Sequence, residues 1–162
     1  MKKITTLQIG DAIAAALENK KKNILFVSAT VEYEPALEWF AQHPAYRLCR
    51  AKPQPYYAEK NGLLVKKEDF YILDSQTLEQ ANSEKTVWFI NFFSEQCVNG
   101  FEGFLDIVKH RFYINKRPDG TCQKYPLEKM PLFLAFTSPT EGDYMRLDKK
   151  YYDLFDEVYQ VV

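Results

Sequence analysis

From Asn23 to Phe40 the chain reads Asn-Ile-Leu-Phe-Val, then Ser28-Ala29-Thr30-Val31-Glu32-Tyr33, then Glu34-Pro35-Ala36-Leu37-Glu38-Trp39-Phe40. An apolar strand, a polar bend and a helix start follow one another there, which is the frame of a loop that cradles phosphate. Such a loop uses glycines so that backbone N–H groups can crowd the anion, a lysine for the outer oxygens and a hydroxyl for Mg²⁺. Here Ser28 opens the bend, the lysine position falls on Glu34 and the hydroxyl position on Pro35. A carboxylate repels a polyphosphate, and proline supplies neither a hydroxyl nor an N–H. The frame therefore predicts no bound cofactor and no catalytic residue.

Other residues with chemical potential have plainer readings. Glu32 and Glu34 could form an acid/base pair, but carboxylates at a helix start are ordinary dipole partners. Glu95 falls at the first turn of a later helix, for the same reason. His43 and His110 stand far apart, and Cys49, Cys97 and Cys122 contain no CxxC pair. That spacing predicts no metal site and no complete disulfide framework, with Cys49 and Cys97 as buried thiols. Lys20-Lys21-Lys22 lies where a helix should end, and cations suit that end.

The elements that must position these residues follow from periodicity. Thr5 and Thr6 can cap a helix from about Leu7, with Ile9, Ile13, Ala16 and Leu17 on one face. Ile24 to Ala29, Thr86 to Phe92 and Leu132 to Thr137 are continuous apolar runs, the mark of strands buried on both faces. Tyr46 to Lys52 reads as a further strand and Val158 to Val162 as the last. Pro35 suits the first turn of a second helix, with Leu37, Phe40 and Ala41 inward and His43-Pro44 at its end. Pro53 and Pro55 break regular structure, and Asn61-Gly62 marks a hairpin between Tyr56 and Val65. Helices are predicted at Ser75–Asn82, from Ser94 to about Arg111, and at Leu147–Phe155. A second hairpin spans 112–125 around Arg117-Pro118-Asp119-Gly120.

Bulk composition limits the classes. With 162 residues, 46% hydrophobic and 27% charged, the chain predicts one globular domain, 1–162. A net charge of −1 gives no strong field for nucleic acid or an anionic membrane. No apolar run would cross a bilayer and no signal-peptide core follows Met1, so the expected setting is cytoplasmic, with no membrane partner.

In order and spacing these elements resemble the core domain of AAA+ ATPases of the MoxR-like type, over nearly the whole chain. The resemblance implies a P-loop NTPase fold: a three-layer α/β sandwich with a mainly parallel five-stranded sheet plus β-hairpin insertions. The helical lid of that family has no counterpart, the chain ending at its fifth strand. In the second buried run the family's Mg²⁺ aspartate falls on Asn91 and its water-polarising glutamate on Phe92. In the third run its sensor asparagine falls on Ser138, with Pro139 retained. Its arginine finger falls on Leu154, within Asp153-Leu154-Phe155. Phosphoryl transfer is positioning plus charge stabilisation, and each of these departures removes a charge or a ligand.

The expectation is a pseudo-ATPase acting through protein contacts, with an active AAA+ ATPase or a second copy as partner. Tyr56, Tyr57, Tyr151 and Tyr152 are candidates for that surface. One alternative is a weak ATP binder or ATPase with a non-standard site. Another is nucleic-acid binding by the 112–125 hairpin, through Lys116, Arg117 and Lys124 with Phe112, Tyr113 and Tyr125. Solvated lysines are the commoner outcome for such a hairpin.

Overall fold

The computed structural model describes residues 1–30, 34–50, 53–71, 83–91, 111–116, 122–139 and 147–162. In chain order the elements begin with β1 (Lys2–Ile4), a 3-10 turn (Thr6–Gln8), α1 (Ile9–Glu18), β2 (Asn23–Val27), α2 (Glu34–Ala41) and β3 (Arg47–Arg50). They continue with β4 (Pro53–Lys60), β5 (Leu63–Tyr71), β6 (Thr86–Asn91), β7 (Phe112–Lys116) and β8 (Cys122–Pro126). β9 (Leu132–Thr137), a second 3-10 helix (Lys149–Leu154) and β10 (Glu157–Val161) complete them.

Six strands form one sheet in the order β1-β10-β2-β9-β6-β3, and every neighbouring pair is parallel. The architecture is thus α/β with a parallel sheet, and the expected count of five strands is corrected to six. The additional strand is β1. It holds only three residues, too few for a hydrophobic period to show, and pairs Lys2 with Tyr159 and Ile4 with Val161. Its two lysines are exposed, as suits an edge that must not recruit further strands.

The connections β1-α1-β2 and β2-α2-β3 both run toward the β3 edge. Right-handed crossovers in the same direction put their helices on the same face. α1 and α2 indeed touch: a Cβ built on Gly10 would lie 3.0 Å from Trp39 Cδ1, so glycine permits the approach. Beneath them lies one core of Ile9, Ile13, Ala16, Ile24, Phe26, Ala36, Phe40, Val87, Phe89, Leu132, Leu134, Phe136 and Tyr159. Phe26 stacks on Phe136 at 5.1 Å and on Tyr159 at 5.5 Å, and Phe136 stacks on Phe89 at 5.1 Å. One aromatic row therefore crosses β10, β2, β9 and β6. Each such pair adds about 0.5–1.5 kcal/mol beyond its buried area.

The helix ends follow local chemistry. Gln8 Oε1 accepts from the Thr5 amide at 2.9 Å, the returning half of a capping box. After α1, Lys20 adopts φ +56°, and the Lys20 and Lys21 amides donate to the carbonyls of Leu17 and Ala16 at 3.0 and 2.8 Å. This is a Schellman stop with lysine where glycine is usual. In α2, Ala36 and Phe40 are buried and Leu37 half-buried, but Ala41, the last residue of the helix, is exposed and not on the inner face as expected.

The expected hairpin turn at Asn61-Gly62 is present, with φ +53° and +75°. Pro53 and Pro55 do not end regular structure as expected; both lie within β4. The pairing register with β5 shifts between Gln54 and Tyr56, and a bulge tolerates a residue without an N–H. β7 and β8 form the second hairpin, and β4 lies alongside β7. The expected Leu147–Phe155 helix is a 3-10 helix over Lys149–Leu154, capped by Asp148 accepting from the Lys150 amide at 3.1 Å. The predicted helices at 75–82 and 94–111 lie outside the described residues, apart from Arg111.

The start of β2 is fixed by a residue that hydrophobic pattern does not mark. Asp156 Oδ2 accepts from the amides of Lys22 at 2.7 Å and Asn23 at 3.0 Å, and the Asp156 amide donates to the Asn23 carbonyl at 2.9 Å. These bonds set the register of β10 against β2. Asp156→Ala leaves two strand-entry amides without their charged acceptor and should lower stability by about 1.5–3 kcal/mol. Asp156→Asn should fall between it and the parent protein in urea unfolding.

Candidate functional site

In an open parallel sheet, ligands bind outside the carboxyl ends of the strands where neighbouring connections diverge to opposite faces. Here that point is the β2–β9 seam. The chain leaves β2 toward the β3 edge and leaves β9 toward β10, on the other side of β2. The residues at this point are Ser28, Thr137 and Ser138, exposed by 4%, 0% and 3%.

The Ser28 amide donates to the Thr137 carbonyl at 2.9 Å, carrying the β2–β9 pairing one residue past the strand. Ser28 Oγ accepts from the Thr30 amide at a long 3.4 Å. Thr137 Oγ1 accepts from the Leu147 amide at 2.7 Å, which pins the return of the chain to the sheet. The first amide of the bend is thus committed within the sheet. Glu34, exposed, and Pro35, half-buried, are the first two residues of α2. The stretches 28–30, 34–36 and 137–139 contain no Lys, Arg or His.

The remaining resemblance positions divide between the two ends of the sheet. Asn91 ends β6 beside Phe136, so Ser28, Asn91 and Ser138 share the carboxyl edge. Phe92 lies outside the described residues. Leu154, half-buried, closes the 3-10 helix that leads into β10. It therefore sits at the amino end of the sheet, and within one chain it does not converge with the other positions.

That amino end carries an open cleft of about 550 Å³ lined by residues including Lys2, Lys149, Tyr152, Asp153 and Glu157. Lys2 and Glu157 form an ion pair of 3.0 Å at its edge. The hydrogen bond and charge of Glu157 hold the Lys2 ammonium above its ordinary value. Burial, then the Glu157 charge, pushes the Tyr159 phenol up. Tyr152, which lines the cleft, and the neighbouring Tyr151 are both half-buried.

The 112–125 hairpin pairs Ile114 with Lys124, Lys116 with Cys122 and Tyr113 with Tyr125 in its backbone register. The side chains of Phe112, Tyr113, Lys116, Lys124 and Tyr125 are outside what the structure describes, and Arg117 is outside the described residues. The side chains of Tyr56, Tyr57, Cys49 and Cys122 are likewise outside what the structure describes, as are Glu32, Glu95, Cys97 and His110. His43 is exposed, stacked on Trp39 at 3.7 Å with Nδ1 donating to the Trp39 carbonyl at 2.6 Å, so it closes α2.

No protein-family model matches the chain, and no curated protein matches it. Among the described residues, no helix is long and apolar enough to cross a membrane, and no group of three His, Cys, Asp or Glu side chains is placed to hold a metal ion.

The Thr137 hydroxyl has a structural duty at this site, and it is testable. Thr137→Val keeps the side-chain volume but strands the Leu147 amide. Chemical denaturation should show a loss of about 1–3 kcal/mol, and hydrogen exchange at Leu147 should accelerate.

Proposed function

We propose that this chain is a non-catalytic AAA+-like domain, a pseudo-ATPase, that acts through protein contacts. Its partner is an active AAA+ ATPase or a second copy of the chain. The observation that carries the reading is the start of the bend after β2, where the first amide is taken up by the sheet. The Ser28 amide is spent on Thr137 at 2.9 Å, and α2 opens on a carboxylate and a residue without an N–H. A triphosphate placed there would meet repulsion where it needs donors and a cation. The strand neighbours add support: the counterparts of the phosphate-loop, sensor and metal-carboxylate strands lie side by side as β2, β9 and β6. They bring the backbone positions of Ser28, Ser138 and Asn91 to the same edge of the sheet, which suits the reading.

A second reading, a weak nucleotide binder, is favoured by the switch point itself, which remains the natural ligand crevice of such a sheet. Calorimetry with Mg²⁺-ATP separates the two. The proposed function predicts no saturable binding below about millimolar concentration, which corresponds to about −4 kcal/mol. Micromolar binding would overturn it in favour of the second reading. Sedimentation over a range of protein concentrations should show self-association if the partner is a second copy; a strict monomer removes that arm and leaves the ATPase partner.

A further inference from the structure

We propose that the lysine-lined pocket at the amino end of the sheet binds a compact, multiply charged phosphate anion of about pyrophosphate size. The pocket, about 280 Å³, is lined by Leu17, Lys20, Lys21, Lys22, Tyr46, Glu84 and Lys85. Three separate loops meet there: the end of α1, the entry to β3 and the entry to β6. A lysine run at a helix end is commonly a dipole partner, and that accounts for Lys20 and Lys21. It does not account for Lys85, which arrives from a different strand, or for the Tyr46 ring beneath it. Lys85 Nζ lies 4.8 Å from the centre of that ring, a distance at which the ring attracts and orients the ammonium.

The backbone of the site is built before any ligand arrives. The Lys20 and Lys21 amides are held by Leu17 and Ala16, the Lys22 amide by Asp156, and the Lys22 carbonyl by the Phe133 amide at 2.7 Å. The Lys85 amide is held by Ser83 Oγ at 3.2 Å and its carbonyl by the Arg47 amide at 2.8 Å. Only the lysine tips remain to be ordered, which lowers the entropic cost of binding. Four lysines against one glutamate leave the lining with +3 charges. The end of α1 subtracts roughly half a charge and the Asp156 carboxylate on the Lys22 amide a further one, so the field stays positive. Lysines act as adaptable point charges suited to phosphate. The volume lies just below the roughly 300–1,000 Å³ of sites for larger organic ligands, which favours a small anion over a whole nucleotide. This pocket is at the opposite end of the sheet from the β2–β9 crevice, so the proposal is independent of the pseudo-ATPase reading.

The test is titration of the full chain with inorganic pyrophosphate, followed by calorimetry and amide chemical shifts at two salt concentrations. Saturable, salt-weakened binding with shifts at Lys21, Lys22 and Lys85 is expected. Lys85→Gln and Lys21→Gln should each reduce affinity about three- to fivefold. Lys3→Gln, on the exposed edge strand, should leave it unchanged. An unaltered thermal midpoint checks that each variant is folded. Absence of saturation by 10 mM, as an order-of-magnitude ceiling for a useful site, overturns the proposal. So does an equal loss with Lys3→Gln, which would mean diffuse charge attraction. Binding that survives both pocket substitutions and shifts Ser28 instead would also overturn it, because the anion would then occupy the carboxyl-end crevice.

Discussion

The parallel pairing of β2 with β9 is the constraint on which the rest of this molecule depends. All five residues of β2 and all six of β9 are buried. Their register sets Phe26 against Phe136, and that pair anchors the aromatic row reaching Tyr159 on one side and Phe89 on the other. α1 and α2 bury their apolar faces on the same row. A slip of one residue in this pairing would turn every core side chain to the opposite face. Bonds at both ends oppose such a slip. The Phe133 amide on the Lys22 carbonyl holds the amino end, and the Ser28–Thr137 bond holds the carboxyl end.

The same pairing links fold to function. A phosphate loop needs free amides directly after its strand, and here the first of them has become part of the sheet. Under the proposed function, stability and phosphate binding would compete for this N–H group, and the sequence on either side suits the structural use. Glu34 and Pro35 start a helix well and would serve a nucleotide badly. The buried hydroxyls of Ser28 and Thr137 at this crevice accept from the protein's own amides, those of Thr30 and Leu147.

Much of the sheet was legible because continuous apolar runs bounded by polar residues have few other solutions. β2, β6 and β9 lie within a residue or two of their expected limits, and Asn61-Gly62 turns as its φ preferences dictate. β1 was not legible: a strand of three residues with two lysines leaves no periodic trace, and its pairing with β10 depends on contacts across the whole chain. Pro53 and Pro55 do not break the strand because Pro53 is its first residue and Pro55 falls at the register shift, positions where a missing N–H is tolerated. The candidate site was legible as residue types but not as geometry. The resemblance names Ser28, Asn91, Ser138 and Leu154 without fixing their separation, and strand polarity places Leu154 at the other end of the sheet. Asp156 and Lys85 went unmarked because each acts on partners that are distant in sequence. A charged residue before a strand carries no signal until its neighbours are known.

The most direct measurement of the central claim is hydrogen exchange at the Ser28 amide, with and without excess Mg²⁺-ATP. The account predicts an amide protected to the level of the β2 and β9 core, with the same rate in both conditions. A Ser28 amide that exchanges freely in the apo protein and becomes protected only when nucleotide is added would contradict it. The bend would then be an open anion cradle.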